Sequence, residues 1–96
     1  MNDAFRSIHH HRMLRVAAAT PRASVGDPAA NAEAIIELAR RGHESGVDLI
    51  VYPELSLSSY AIDDLHLQTA QRGATLAGLE TIRAASETLS PVLLVG

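Results

Sequence analysis

The sequence predicts an α/β fold in which parallel strands alternate with helices. Three short apolar runs, at 14–20, 47–52 and 92–96, have the composition of strands. The two longer stretches between them, 27–45 and 63–89, repeat apolar residues at helical spacing. Because a strand, a crossover helix and a second strand form a βαβ unit, we expect a βαβαβ chain whose neighbouring strands are parallel.

The first strand is predicted over residues 14–20, because Leu14, Val16 and Ala18 alternate along one face. Residues 1–13 before it are polar and show no periodicity. We interpret them as a flexible N-terminal arm that precedes the folded portion.

The first helix is predicted over residues 27–45. Asp27 is a favourable N-cap, Pro28 suits the first helical position, and Gly46 can adopt the left-handed conformation that ends a helix. Apolar residues recur at positions i, i+3, i+4 and i+7, which predicts one buried face. The residues of that face are Ala32, Ile35, Ile36 and Ala39.

The second strand is predicted over residues 47–52. Its last four residues are apolar without alternation, which is typical of a strand covered on both faces by helices. A second helical stretch follows over about 63–89, and we expect a break in it near Gly73. Ser90 precedes Pro91, which disfavours further helix, so residues 92–96 are predicted as a third buried strand.

An aliphatic strand at the edge of so small a sheet needs neighbours on its edge and faces. We therefore expect residues 14–96 to be the N-terminal portion of a larger domain, which this chain contains incompletely.

Composition excludes several kinds of chemistry for this chain. The sequence has no Cys, and all 8 basic residues are Arg, so it offers neither a thiolate nucleophile nor a lysine amine. The net charge of -3 is scattered and gives no basic surface for nucleic acid. No apolar run approaches the roughly 20 residues of a membrane span, and no signal core is present, so we expect a cytoplasmic protein without nucleic-acid or membrane partners.

Glu54 is the residue that most invites a functional interpretation. It directly follows the second predicted strand and Pro53. A carboxylate at this point can be an ordinary surface acid, since strands end at the surface. It can also be catalytic, because open α/β sheets collect their chemistry at the carboxyl ends of strands.

The string "VDLIVYPELSLSSYAIDDLHLQ" resembles the first catalytic motif of the nitrilase superfamily of carbon-nitrogen hydrolases. Within that superfamily, its "PELSL", tyrosine and "DDL" are similar to the glutaminase domain of glutamine-dependent NAD synthetases. "LRVAAAT", "VGDPAANAEAI" and "PVLLVG" also resemble the opening of that domain, so the resemblance covers most of residues 13–96. It implies a four-layer α-β-β-α sandwich, of which this chain supplies the first strands and helices.

The resemblance also implies roles for two residues. The family uses a Glu, Lys and Cys triad, in which the glutamate is the general base, and only the glutamate is matched here, at Glu54. Tyr60 matches a tyrosine that shapes the glutamine pocket, although packing of a loop on the core explains it equally well. Ser59 stands where the family usually has glycine, and serine disfavours the left-handed backbone that glycine permits, so we expect a shift of the loop that holds Tyr60 if the backbone is left-handed there.

The family's full enzyme hydrolyses glutamine and delivers ammonia to an ATP- and Mg-dependent site, which amidates nicotinic acid adenine dinucleotide. That site is expected in a separate C-terminal domain, so we expect no cofactor to bind to this chain, which by itself should be inactive. A homo-oligomer is expected for the full-length enzyme. The small-molecule substrate that the resemblance implies for this domain is glutamine.

Two other clusters contain possible metal ligands. Three adjacent histidines, at 9–11, lie in the predicted arm and lack a fixed ligand geometry, so we interpret them as a surface segment. Asp63, Asp64 and His66 are explained by the preference of acids for a helix N-terminus, so no metal site is predicted.

Two alternative functions remain open from the sequence. The parent protein could be a stand-alone amidase or carbamoylase of the same superfamily. The chain could also be a non-catalytic α/β fragment whose open edge pairs with a partner.

Overall fold

The computed structural model describes residues 11–24, 26–53, 56–57 and 69–96. These described ranges contain three short strands and two long helices in the predicted alternating order. The elements are β1 (Val16–Ala18), α1 (Pro28–Glu44), β2 (Leu49–Val51), α2 (Thr69–Ser86) and β3 (Val92–Leu94).

The strands form one sheet in the order β1-β2-β3, and both neighbouring pairs are parallel. The central residues Ala17, Ile50 and Leu93 pair across the sheet in register. The predicted parallel arrangement is therefore confirmed, although each strand is shorter than the apolar run that predicted it.

Local signals define both ends of α1 as predicted. The side chain of Asp27 caps the helix by accepting a hydrogen bond from the Ala30 amide at 3.1 Å, and Pro28 is the first helical residue. Ser45 is the C-cap, and Gly46 follows with φ of +73°. Because a left-handed backbone costs a glycine little, the chain can leave the helix here and turn into β2.

The predicted apolar face of α1 packs against the sheet. All four of its predicted residues are buried and belong to one core cluster with residues of β2 and α2. The cluster consists of Ala32, Ile35, Ile36, Ala39, Val47, Ile50, Tyr52, Leu57 and Ile82.

The break expected near Gly73 is wrong, because α2 continues through this residue without interruption. A single glycine lowers helix propensity by only about 1 kcal/mol relative to alanine. Packing of Gly78 and Ile82, which are both buried, outweighs so small a local cost. Residues 63–68, which were also predicted to be helical, lie outside the described residues.

Coverage of the sheet by helices on both faces is also wrong for this chain. The two helices pack against each other and against one face, where Ala17 and Leu93 join the core cluster. When parallel strands are added in one direction with crossovers of one hand, their helices fall on the same side. Neither described helix covers the opposite face. This open face carries Val16, Ala18, Leu49, Val51, Val92 and Leu94.

Candidate functional site around the carboxyl end of β2

The two predicted site residues, Glu54 and Tyr60, lie outside the described residues, as does Ser59. The structure describes the backbone on both sides of Glu54. Residues 52–53 precede it at the carboxyl end of β2, and residues 56–57 follow it. The geometry of these flanking residues defines the candidate site.

Tyr52 anchors the chain immediately before the candidate site. Its amide donates a hydrogen bond to the Leu94 carbonyl at 2.9 Å, which extends the pairing of β2 with β3. Its side chain is buried, and the phenol donates a hydrogen bond to the Ile35 carbonyl of α1, also at 2.9 Å. Burial raises the pKa of the Tyr52 phenol above its ordinary value. Tyr52 therefore packs in the core, and its hydrogen bond adds a directional contact to α1.

Ser56 and Leu57 anchor the chain after the candidate site. The Ser56 amide donates to the Pro53 carbonyl at 3.3 Å, so the residues that flank Glu54 in sequence come close together. Leu57 is 4% exposed and belongs to the core. The Ser56 hydroxyl is buried, and it has no hydrogen-bond partner in the part of the chain that the structure describes.

Asn31 joins the loop after β1 to the segment after β2. Its carboxamide is 1% exposed. Its oxygen accepts from the Ser24 amide at 2.6 Å, and its nitrogen donates to the Ser24 carbonyl at 2.9 Å and to the Leu57 carbonyl at 2.7 Å. Sequence analysis missed this residue. The available signal was a polar side chain next to Ala32 and one turn before Ile35, on the buried face of a helix.

The histidines and acids that could suggest a metal site receive no support from the described geometry. His11 is exposed, and the other residues of those two clusters lie outside the described residues. Within ranges 11–24, 26–53, 56–57 and 69–96, no group of three or more His, Cys, Asp or Glu side chains could hold a metal ion. In the same ranges, no helix is long and apolar enough to cross a membrane.

No protein-family model matches the chain. Individual curated proteins do match it over nearly its whole length. The glutamine-dependent NAD(+) synthetase of Mycobacterium tuberculosis is 44% identical over 92 residues, which are 96% of this chain and 14% of that protein. The enzyme of the same name from Mycobacterium leprae is 42% identical over 92 residues, with the same coverage.

A solved structure resembles the chain in fold as well as in sequence. It is the glutamine-dependent NAD+ synthetase from Acinetobacter baumannii in complex with ADP, with a TM-score of 0.61 and 28% identity. The match covers 82% of this chain and 15% of the solved one. Sequence and fold agree that the chain is similar to one segment of the glutamine-dependent NAD(+) synthetases, and it spans about 14 to 15% of the length of those proteins.

Proposed function

We propose that this chain is part of the glutaminase domain of a glutamine-dependent NAD synthetase. In the proposed enzyme, the domain releases ammonia from glutamine, and a second site uses ATP to amidate nicotinic acid adenine dinucleotide to NAD. The observation that carries the proposal is the 44% identity that extends over 96% of the chain. A match of that extent spans the segment around Glu54.

Glu54 is the proposed general base of glutamine hydrolysis. It directly follows Pro53 at the end of a parallel strand, the point at which α/β proteins commonly hold reacting groups. A general base must lie within hydrogen-bond reach of the proton that it removes, so a site on a strand end suits the role. The nucleophilic cysteine and the lysine that stabilises the oxyanion must come from the remainder of the parent protein, because this sequence contains neither residue type.

Tyr60 is proposed to line the glutamine pocket. In this proposal residues 14–96 form the opening portion of the domain, and residues 1–13 form an arm outside it. Ser59, in place of the family's glycine, is the position at which this pocket would differ from that of its relatives.

The open face of the sheet supports the four-layer sandwich as the architecture of the complete domain. Val16 is 58% exposed on this face, Val92 64% and Leu94 56%. A continuous aliphatic sheet face is normally covered, and a second sheet stacked about 10 Å away would cover it. We propose that the remainder of the domain supplies that second sheet.

The sequence lacks the phosphate loop with which many ATP-dependent enzymes hold ATP and Mg²⁺. No lysine is available to contact a phosphate, and the sequence has no Gly-Lys-Ser/Thr loop. We therefore propose that both bind elsewhere in the parent enzyme. The proposed enzyme is a cytoplasmic homo-oligomer whose small-molecule substrate at this domain is glutamine.

The decisive experiment is Glu54→Gln in the full-length parent enzyme. The amide keeps the volume of the side chain but cannot accept the thiol proton, so glutamine hydrolysis should fall by about 10² to 10⁴. NAD synthesis supplied with free ammonium should continue, which shows that the protein is folded. Glu44→Gln, at the exposed end of α1, is the matched control and should hydrolyse glutamine normally. Normal hydrolysis by Glu54→Gln would establish that Glu54 is a surface acid.

A further inference from the structure

One face of α1 holds the chain on both sides of Glu54. The Tyr52 phenol, two residues before Glu54, donates to the Ile35 carbonyl at 2.9 Å. The Leu57 carbonyl, three residues after Glu54, accepts from the Asn31 carboxamide at 2.7 Å. Asn31 and Ile35 are four residues apart, so the two anchors lie one above the other on the same side of the helix.

The Asn31 anchor is a rigid one. Its oxygen and both hydrogens of its nitrogen have partners, two at Ser24 and one at Leu57. Asn31 is 1% exposed, so a water molecule could replace a lost hydrogen-bond partner only by entering the core. Because buried backbone groups are costly to leave without partners, the carboxamide keeps Ser24 and Leu57 at fixed positions relative to α1.

We propose that Asn31 is a positioning residue of the glutaminase site, which fixes the backbone after Glu54 and thereby the position from which Glu54 removes the thiol proton. This inference rests on the proposed function. A displacement of about 1 Å in a reacting group can cost on the order of 10² in rate, so one anchor can be kinetically important without touching the substrate.

The test uses Asn31→Ala in the full-length enzyme, with kcat and KM for glutamine measured separately. We expect kcat to fall by about 10², with a smaller change in KM, because the base is displaced while the pocket for glutamine remains. NAD synthesis supplied with ammonium should be retained. Wild-type kcat in Asn31→Ala would overturn the inference.

Ile36→Ala separates positioning from general stability. Ile36 is buried on the same helix, so its truncation weakens the core, but its aliphatic side chain can make no hydrogen bond to either flank of Glu54. We expect Ile36→Ala to lower the unfolding temperature and leave kcat within about twofold of wild type, since no reacting group is displaced. An equal loss of kcat in Ile36→Ala and Asn31→Ala would show that Asn31 contributes only to stability, and it would overturn the inference.

Asn31→Asp decides the matter if Asn31→Ala fails to fold. Aspartate has the same shape and can still accept from the Ser24 amide, but an ionised carboxylate can donate to neither the Ser24 carbonyl nor the Leu57 carbonyl. We expect the same selective loss of kcat, and a wild-type kcat would overturn the inference.

A double-mutant cycle shows whether Asn31 acts through Glu54. In the Glu54→Gln background, Asn31→Ala should cause little further loss, because the base that it positions is already gone. Fully multiplicative losses would overturn the inference. The same cycle tests the proposed function separately from the role of Asn31. The proposed function is wrong if Glu54→Gln alone retains normal glutamine hydrolysis. If Glu54→Gln is inactive and Asn31→Ala is normal, only the role of Asn31 fails.

Discussion

Gly42 of α1 packs against Ile50 of β2 without room for a side chain. A Cβ atom at Gly42 would lie 2.5 Å from Cδ1 and 3.3 Å from Cγ1 of Ile50. Ile50 is 1% exposed, so its side chain has no solvent into which it can move. The absence of a side chain at Gly42 therefore allows the last turn of α1 to approach the sheet.

We expect Gly42→Ala to destabilise the chain. The added methyl improves helix propensity by about 1 kcal/mol, but overpacking a filled core costs about 1 to 3 kcal/mol. Thermal unfolding followed by circular dichroism should therefore give a lower midpoint than wild type.

Gly73→Ala is the matched control, because it also replaces a glycine by alanine inside a helix. Apart from the helix's own neighbouring backbone, no atom of the described residues lies within 4 Å of a Cβ at Gly73, so only the gain in helix propensity remains. We expect an increase in stability of about 0.5 to 1 kcal/mol. Equal stabilisation by Gly42→Ala and Gly73→Ala would contradict the close packing at Gly42.

Tyr52 should make the stability of the chain depend on alkaline pH. Burial raises the pKa of its phenol, whereas the unfolded tyrosine ionises near its ordinary pKa of about 10. The folded state therefore binds the phenol proton more tightly than the unfolded state does. The resulting contribution to stability is complete below about pH 10. It is lost as the pH rises through 10 towards the pKa of the folded state.

The measurement compares wild type with Tyr52→Phe by urea unfolding at neutral pH and between about pH 9 and 11. At neutral pH the variant should be less stable by about 1 kcal/mol, because the hydrogen bond to the Ile35 carbonyl is lost. The difference should shrink as the pH rises. Tyr52→Phe removes only the Tyr52 phenol, so a difference that stays constant with pH would contradict this effect of burial.

Leu94→Asp tests whether the remainder of the parent covers the open face of the sheet. In the isolated chain Leu94 is 56% exposed, so the aspartate should be tolerated and should reduce association between chains. In the full-length enzyme the same carboxylate would be buried without a partner, which costs several kcal/mol. We expect Leu94→Asp to lower the thermal midpoint of the full-length enzyme strongly and to leave that of the isolated chain nearly unchanged.

Leu76→Asp is the control for this experiment. Leu76 is 66% exposed on α2, away from the open face of the sheet, and its substitution should change neither protein appreciably. If Leu94→Asp were as harmless as Leu76→Asp in the full-length enzyme, the proposed second sheet would not pack on this face.

The 96-residue chain by itself should neither hydrolyse glutamine nor make NAD. The proposed mechanism needs a thiolate and a cationic oxyanion partner, and the sequence contains no Cys and no Lys. Incubation of the purified chain with glutamine, followed by an ammonia assay, checks this expectation. Ammonia release above that of a Glu54→Gln control would show that the chain is a complete enzyme.

Local sequence determined α1 and the order of the elements. Asp27 and Gly46 act through their own conformational preferences and short-range hydrogen bonds, so their effects can be inferred without knowledge of the fold. Parallel pairing was also predictable, because a helix between two strands leaves few other arrangements. The site motif was recognisable from consecutive residues, although Glu54 and Tyr60 themselves lie outside the described residues.

Tertiary structure decided which faces are buried. Alternation in β1 shows that its two faces differ, but it does not show which face meets the helices. The larger side chain of Val16 lies on the open face. The small Ala17 and Ala19 pack against the core instead. Gly73 likewise stays helical, because a local cost of about 1 kcal/mol is smaller than the packing energy of the whole helix.

The anchor at Asn31 depends on tertiary structure most of all. Its partner Leu57 lies 26 residues away, and nothing in the neighbourhood of either residue specifies the other. The two meet because the sheet places the end of β2 beside α1. A buried carboxamide can occupy that position only because the fold brings all of its hydrogen-bond partners to it.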